Sequence, residues 1–309
     1  MLPGELKEAV GLWLERQSGA ALRGQSTKLR EAYKLGRNSA HVDLAAYLTT
    51  RMPATFAAVT KVLNEVARHV SPRSILDVGA GPGTASWAAL TVWPDIGDIT
   101  MVEADARFVD LAKLLATESL MPALSSADIV NARMVDVSTK AELVVAAYVF
   151  AELAEQEAAN SALKLLAQTE HTLVIVEPGT PLGFARIRAA RVALLQAGVH
   201  MVGPCTHVNP CPMAGGNWCH FTQRLARSRE HMHAKQANVP FEDEPFSWIA
   251  VSRFPTQLAQ ARIMGPVEYL KHEMCFKICD GQGISKRTVA RRDKAAYKSN
   301  RKLAWGDAI

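Results

Sequence analysis

No cysteine occurs in the first 204 residues of this 309-residue chain, and nowhere are two cysteines spaced as C-x-x-C. The lack of that short spacing disfavours a zinc ribbon or a zinc knuckle. No apolar run reaches the roughly 18 residues of a membrane-spanning helix. The N-terminus also lacks the basic start, apolar run and small-residue cleavage site of a signal peptide. We therefore expect a cytoplasmic, monomeric protein without membrane contact.

Acidic residues are scarce near the C-terminus. The whole chain has 35 Lys and Arg against 30 Asp and Glu, but positions 286–302 hold a single acid, Asp293. We call this stretch the basic segment; its eight cations are Lys286, Arg287, Arg291, Arg292, Lys294, Lys298, Arg301 and Lys302. A charge run is often just a solvated face. The missing counter-charges and the interleaved Tyr297 and Trp305 favour RNA contact instead.

Hydrophobic periodicity divides the chain into segments. Residues 1–66 show helical spacing and predict a helical N-terminal module. From residue 67 to 200, five short apolar runs alternate with helical segments, which predicts strands 1–5 of a parallel sheet with right-handed crossovers. Two β-rich runs, FSWIAVSRF and EMCFKICDG, lie within 245–283 and predict strands 6 and 7 that complete the core. Residues 201–244 would then be a cysteine-rich insertion, and 284–309 a basic tail.

A glycine-rich loop, DVGAGPGTAS, follows the first predicted strand. Glycine suits a sharp strand-to-helix turn that a ligand approaches closely. The spacing of Gly79, Gly81 and Gly83 is GxGxG, whereas the dinucleotide fingerprint is GxGxxG. This difference favours a ligand with an adenosine and no phosphates, and Glu103, after the second strand, is placed to accept hydrogen bonds from ribose hydroxyls.

These features resemble the class I S-adenosylmethionine (SAM) methyltransferases, which have a Rossmann-like, seven-stranded α/β sheet. The resemblance implies that Asp77 faces the methionine part of SAM and that Asp136 lies near the adenine. Tyr148, at the end of strand four, would border the methyl group. The catalytic residues stay unknown, because this strand end lacks the Asn or Asp with prolines that often orients an amine acceptor.

Three cysteines lie within fifteen residues, at positions 205, 211 and 219. Thiolates suit zinc or an iron–sulfur cluster, and both need a fourth ligand, most simply Cys279 or Cys275. A cluster of merely buried thiols is a weaker interpretation. A cysteine nucleophile is disfavoured because strand four carries no thiol. The residues alone leave zinc and iron–sulfur both open.

Several longer motifs resemble the methyltransferase-like proteins of the mitochondrial small ribosomal subunit and their bacterial relatives. They are RMPATFAAV (51–59), DVGAGPGTA, EPGTPLGF (177–184), PCTHVNPCP with WCHFTQR, CDGQG (279–283) and WGD (305–307). The resemblance implies an assembly factor that acts on the small subunit and its rRNA. It also implies a [4Fe-4S] cluster held by Cys205, Cys211, Cys219 and Cys279, with methyl transfer in doubt.

The sequence therefore predicts a SAM-binding, iron–sulfur-containing methyltransferase-like protein of small-subunit assembly and translation. Two alternatives stay open. One is an active rRNA methyltransferase, and the other is a non-enzymatic, zinc-binding module associated with the ribosome.

Overall fold

A computed structural model describes residues 2–16, 43–213 and 216–309. Within these ranges the predicted N-terminal module is helical, while positions 1 and 17–42 of it lie outside the described residues. The helices are α1 (Gly4–Arg16), α2 (Leu44–Ala46), α3 (Met52–Val66), α4 (Thr84–Val92), α5 (Ala106–Thr117), α6 (Pro122–Ser125), α7 (Glu155–Gln168), α8 (Pro181–Gln196), α9 (Arg229–Ala234) and α10 (Lys294–Asn300). A π-helical turn, Tyr47–Arg51, joins α2 to α3, and 3-10 turns occur at Met134–Asp136 and Phe150–Glu152.

The strands form two sheets. They are β1 (Ser74–Val78), β2 (Asp98–Glu103), β3 (Asp128–Asn131), β4 (Ala141–Ala147), β5 (Thr169–Pro178), β6 (His200–Gly203), β7 (Phe221–Ala226), β8 (Phe241–Ser252), β9 (Ala261–Ile263), β10 (Glu268–Tyr269), β11 (Glu273–Asp280) and β12 (Gly283–Ala290). The larger sheet has the order β3-β2-β1-β4-β5-β8-β6. Strands β1 to β5 are parallel and β8 is antiparallel to β5.

The larger sheet is covered on both faces. Because neighbouring residues of a strand point to opposite faces, Ile75 packs with α3 and α4, and Leu76 packs with α7 and α8. Parallel strands in the order 3-2-1-4-5 with helices on both sides make the α/β arrangement of a class I methyltransferase. The predicted fold class is confirmed at this level.

The end of that sheet is only partly as predicted. FSWIAVSRF, predicted as strand six, does join the sheet as β8, antiparallel to β5. Strands β6 and β7, which come from the predicted insertion, also pair with β8, so the sheet has eight strands rather than seven. The run predicted as strand seven is β11, which lies in a second sheet with β9, β10 and β12. The reason is local: a two-residue loop, Gly281 and Gln282, lets β11 pair with β12 as a hairpin over eight residue pairs.

The C-terminal residues belong to the second sheet. The predicted basic tail contributes β12 and α10, and the last residues pair with β9, since the Ala261 N–H donates to the Ile309 carbonyl at 2.8 Å. Met274, Phe276 and Ile278 form the small core beneath. The described helices include none that is both long and apolar enough to cross a membrane.

The cysteine-containing loop arises from how β8 is paired. The C-terminal half of β8 pairs with β6, and its N-terminal half pairs with β7 on the same side. Residues 204–220 connect β6 to β7 and therefore leave the sheet beside the middle of β8. This loop meets the second sheet, because Thr206 Oγ1 donates to the Cys279 carbonyl at 3.3 Å and Asn209 Nδ2 donates to the Gly281 carbonyl at 3.0 Å.

Candidate functional site

The glycine loop has the backbone that its sequence predicts. Gly79, Gly81 and Gly83 have φ values of +67°, +55° and +83°, in the left-handed region that favours glycine. Two side chains approach the loop closely. A Cβ on Gly79 would lie 2.6 Å from Val149 Cγ2, and one on Gly81 would lie 3.4 Å from the Tyr47 hydroxyl. The absence of Cβ atoms therefore also lets protein side chains pack on the loop.

The N–H groups of the loop are used within the protein. Those of residues 79 and 80 both donate to the Val102 carbonyl, at 2.8 and 3.1 Å. The N–H of Gly81 donates to Glu103 Oε2 at 2.8 Å, that of Gly83 donates to the Ala80 carbonyl, and Pro82 has none. A pyrophosphate cradle needs such donors, so this loop suits a ligand without phosphates.

Glu103 lies at the end of β2, beside the loop. Its Oε1 accepts the Asp105 N–H at 2.9 Å and its Oε2 accepts the Gly81 N–H. Burial raises the pKa of this carboxyl. Each carboxylate oxygen has two lone pairs, so both keep acceptor capacity after these bonds. The residue therefore fits the role of accepting hydrogen bonds from the two hydroxyls of a ribose.

The other predicted cofactor residues have different surroundings. Asp77 is 1% exposed, and its Oδ2 accepts both the N–H and the hydroxyl of Ser86, at 2.9 and 2.8 Å. Burial raises its pKa to about 6. Asp136 is exposed and pairs with Arg133 at 2.8 Å. Among the described residues, neither Asp77 nor Asp136 forms a hydrogen bond with Glu103. The contacts of both residues with SAM stay predictions.

Tyr148 follows β4 in the left-handed conformation, with φ of +63°. Its hydroxyl donates to Glu244 Oε1 at 3.0 Å, and the Arg51 guanidinium carbon lies 5.3 Å from its ring centre. Burial raises its pKa well above the usual value. The strand-four end, predicted to border the methyl group, therefore carries a buried cluster of one tyrosine and one ion pair.

Four cysteines line one cavity. Cys205, Cys211 and Cys219 come from the 204–220 loop and Cys279 from β11, around about 630 Å³ of space that includes the open mouth. Cys275 is absent from the lining; its Sγ lies 3.7 Å from Glu273 Oε1 and from Thr288 Oγ1. The remaining lining is largely apolar, with three arginines, at positions 188, 191 and 262.

The sulfurs influence each other across the cavity. Burial and the neighbouring thiols raise the pKa of Cys219 well above its usual value and that of Cys279 to about 11. Burial also raises the pKa of Cys205, whose Sγ accepts a 3.3 Å hydrogen bond from Arg191 Nε. His207 Nδ1 is buried without a hydrogen-bond partner among the described residues, and its Nε2 lies 3.7 Å from Cys279 Sγ.

A single-metal geometry is not found. Among the described residues, no three His, Cys, Asp or Glu side chains meet in an arrangement that could hold one metal ion. A tetrahedral zinc site would bring sulfurs to roughly 3.8 Å of each other, from Zn–S bonds of about 2.3 Å. The metal-binding insertion therefore stays a prediction, while the convergence of the four thiols on one cavity is a property of the fold.

Several residues at these sites were missed by sequence reasoning. They are Tyr47, Glu177, Arg191, Glu244 and Arg262. Tyr47 and Arg51 lie one helical turn apart in and beside the RMPATFAAV motif, and Glu177 opens EPGTPLGF, so the motifs contained a signal for them. Glu244 and Arg262 lie in stretches with no distinctive spacing, and only long-range contacts reveal them.

The buried Glu177 gives a pH prediction. It is 0% exposed, Oε1 accepts the Phe150 N–H at 2.9 Å, and burial raises its pKa from 4.5 to about 8. Between pH 4.5 and about 8, the Glu177 carboxyl is deprotonated in the unfolded state and protonated in the folded state. Its contribution to stability is therefore complete below pH 4.5 and is lost as pH rises to about 8, at up to about 1.4 kcal/mol per pH unit.

A Glu177→Gln variant should lose this dependence, since its amide oxygen can still accept the Phe150 N–H but does not titrate. Urea unfolding of both proteins at pH 5, 6, 7 and 8 measures the effect. The variant is expected to gain stability relative to wild type as pH rises. Parallel curves at all four values would contradict the raised pKa.

The model of the family described as "Mitochondrial small ribosomal subunit Rsm22" matches residues 41–309. The chain belongs to the Rsm22 family. The predicted resemblance to methyltransferase-like proteins of the mitochondrial small subunit is thereby confirmed.

Two curated relatives of this Rsm22 family member are similar over most of it. The human "Ribosome assembly protein METTL17, mitochondrial" is 27% identical, over 85% of this chain and 61% of that protein. The Schizosaccharomyces pombe "Rsm22-cox11 tandem protein 2, mitochondrial" is 25% identical, over 86% of this chain and 43% of that protein. This chain therefore spans about half the length of the curated relatives that it matches.

The predicted cytoplasmic location is wrong by this comparison. The family description and the names of both relatives are mitochondrial.

Solved methyltransferase structures also resemble this Rsm22 family member. Magnesium protoporphyrin IX methyltransferase from Synechocystis PCC 6803, with bound SAM, is 13% identical with a TM-score of 0.45, over 77% of this chain and 100% of that one. A SAM-dependent methyltransferase from Aquifex aeolicus is 13% identical with a TM-score of 0.43, over 67% and 95%. The fold assignment rests on the strand order described above.

Proposed function

We propose that this chain is a methyltransferase-like factor of small-ribosomal-subunit assembly that binds SAM, carries a [4Fe-4S] cluster and contacts rRNA. One observation carries the proposal: four cysteines from two distant segments line a single cavity next to a sheet that bears the basic segment. The family description and the name of the human relative support the link to ribosome assembly.

The chemistry of the cavity supports a cluster. Four thiols match the four ligands of a cubane, and they surround a volume rather than a point, which favours a multi-atom centre over a single zinc. The thiolates that ligate a cluster bring negative charge into the cavity. Arg191, which already donates to Cys205 Sγ, and Arg262, which is 4% exposed, can offset that charge.

The cluster's contribution would be structural. Cys279 lies on β11, and the other three cysteines lie on the 204–220 loop, so a shared inorganic centre would join that loop to the second sheet. Metal binding of this kind adds directly to folding free energy. Zinc in place of iron and sulfide is the alternative.

The glycine loop supports SAM as the second ligand. Glu103 has spare lone pairs for the ribose, and the loop between residues 79 and 83 has no free N–H for phosphates. The bound SAM would supply a sulfonium methyl group. Nothing at the strand-four end favours a particular acceptor, so we propose cofactor binding without assigning methyl transfer.

The basic segment supports rRNA contact. All eight of its cations are exposed. It starts on β12, the edge strand of the second sheet, where Lys286 lies opposite Lys277. Cys279 is two residues from Lys277 and so lies on the same face of the hairpin. A cluster at Cys279 would therefore fix the position of the hairpin that carries these exposed cations.

Charge reversal tests the RNA contact. Replacing four exposed cations with glutamate should weaken binding to a small-subunit rRNA transcript by about 100-fold at 100 mM salt and reduce the slope of log K against log salt. The substitutions are Arg292→Glu, Lys294→Glu, Lys298→Glu and Lys302→Glu. Filter binding at several salt concentrations measures both quantities.

A matched control makes the same charge change elsewhere. Arg68, Lys113, Lys140 and Lys164 are exposed on the methyltransferase-like part, and their replacement by glutamate is expected to weaken binding much less. Equal losses in the two variants would mean that net charge alone drives binding, and the rRNA surface assigned to the basic segment would be rejected.

A further inference from the structure

Arg51 is the last residue of the π-helical turn that precedes α3. The turn is Tyr47–Arg51, and single π turns are frequent at functional sites. Tyr47 approaches Gly81 through its hydroxyl. Arg51, one turn later, has a side chain only 10% exposed although arginine is rarely buried.

The guanidinium of Arg51 reaches the end of strand four. It pairs with Glu244 through two contacts, Nη2 to Oε1 at 3.1 Å and Nη1 to Oε2 at 3.4 Å. Tyr148 donates to the same Oε1 at 3.0 Å and lies beneath the guanidinium. The next residue, Val149, packs on Gly79. Arg51 therefore contacts the strand-four end and lies one helical turn from Tyr47, which approaches the glycine loop.

Charged side chains of both signs lie near the Tyr47 hydroxyl. Burial raises the pKa of Tyr47 to about 12; the nearby carboxylates Glu103 and Asp77 raise it too, whereas Arg51 lowers it. Arg51 is thus a cation close enough to the Tyr47 hydroxyl to act on it, with a sign opposite to that of Glu103 and Asp77. With SAM bound as proposed, its methionine part would lie between the glycine loop and the strand-four end, the two places where the resemblance puts it. Its α-carboxylate would be costly to bury unless a cation pairs with it.

We propose that Arg51 binds the α-carboxylate of SAM and that Glu244 competes with this carboxylate for the guanidinium. The inference rests on the proposed binding of SAM. An arginine fork binds any carboxylate in the same two-point manner, so the ligand and Glu244 offer it equivalent partners. A neutral residue at position 244 should therefore raise the affinity for the ligand. A neutral residue at position 51 should lower that affinity, because the guanidinium that binds the α-carboxylate is lost.

Calorimetric titration with two ligands tests the inference. S-adenosylhomocysteine carries the α-carboxylate, and methylthioadenosine has the same adenosine without it. Arg51→Gln should weaken binding of S-adenosylhomocysteine by about tenfold or more, the value of a charge-assisted hydrogen bond, and leave methylthioadenosine within about twofold. Glu244→Gln should tighten S-adenosylhomocysteine by about threefold or more and leave methylthioadenosine unchanged.

The opposite signs separate a ligand contact from a structural role. If Arg51 only braces the fold, both variants should weaken both ligands together, and the inference is overturned. Should Arg51→Gln fail to fold by circular dichroism, Glu244→Gln and Arg51→Lys carry the test. Arg51→Lys keeps the charge and is expected to lose less affinity than Arg51→Gln, because lysine cannot bind a carboxylate with two parallel N–H groups.

The wild-type titration separates failure of SAM binding from failure of the Arg51 contact. Wild type that binds S-adenosylhomocysteine, with no change in Arg51→Gln, rejects the role of Arg51 and keeps SAM binding. Wild type that binds neither ligand rejects SAM binding and this inference with it.

Discussion

A Cys279→Ser variant purified without oxygen is expected to lose nearly all of its iron and sulfide, while Cys275→Ser retains both. Cys279 lines the cavity with the three cysteines of the 204–220 loop. Cys275 lies four residues earlier on the same strand, roughly 13 Å away at about 3.3 Å per residue, and its Sγ contacts Glu273 and Thr288 instead. A serine hydroxyl is a hard, neutral ligand and replaces a soft thiolate poorly.

The measurement is elemental analysis of iron, sulfide and zinc with the visible absorption spectrum. Both substitutions remove one sulfur from the same strand, so Cys275→Ser controls for the general effect on β11. Loss of the cluster should also loosen the 204–220 loop, seen as faster limited proteolysis between β6 and β7. Colourless wild type with one zinc and no sulfide would overturn the cluster, and equal metal loss in both variants would overturn the ligand assignment.

An Arg262→Met variant is expected to lose about 3–5 kcal/mol of unfolding free energy. Arg262 is 4% exposed and its guanidinium joins three separate segments. Nε donates to the Pro204 carbonyl at 2.8 Å, and Nη1 donates to the Gly306 carbonyl and to Glu65, both at 2.8 Å. Methionine fills a similar volume but leaves the partly buried Glu65 carboxylate and two carbonyls without these donors.

Urea unfolding at pH 7 measures this loss, with Arg73→Met as the control. Arg73 pairs with Asp95 at 3.6 Å on the surface, where both side chains are mostly exposed, so its removal is expected to cost less than about 1 kcal/mol. Because Pro204 precedes Cys205, Arg262→Met should also lower metal content. An unfolding free energy within 1 kcal/mol of wild type would show that Arg262 is not the link between these segments.

The parallel half of the fold could be predicted because its signals are local. Strands β1 to β5 are apolar runs bounded by helices, and the helix starts carry visible caps, such as Asp105 before α5 and Thr180 before α8. The glycine loop has its left-handed residues where the sequence requires them. The end of the sheet could not be predicted in this way. β6 has only four residues, and β8 and β11 both contain runs of consecutive buried residues although they belong to different sheets.

The candidate sites likewise contain some residues that local sequence signals predict and others that only long-range contacts bring together. Glu103 could be expected at the loop, because the carboxyl ends of adjacent parallel strands meet at one edge of the sheet. Arg51 and Glu244 are 193 positions apart, and their pairing depends on β8 running antiparallel beside β5. Local spacing likewise shows three clustered cysteines, while the position of the fourth depends on how the second sheet packs on the loop.

By itself the sequence determined the family, the parallel α/β core, the glycine loop and the presence of a thiol-rich loop and a basic segment. These features depend on residues that are close along the chain, where steric and hydrophobic rules act directly. Only the tertiary structure decided that β11 leaves the main sheet and that Cys279 rather than Cys275 faces the other thiols. It also decided that a buried ion pair of Arg51 and Glu244 occupies the strand-four end. Each of these depends on contacts between distant segments, whose pairing is set by the packing of the whole chain.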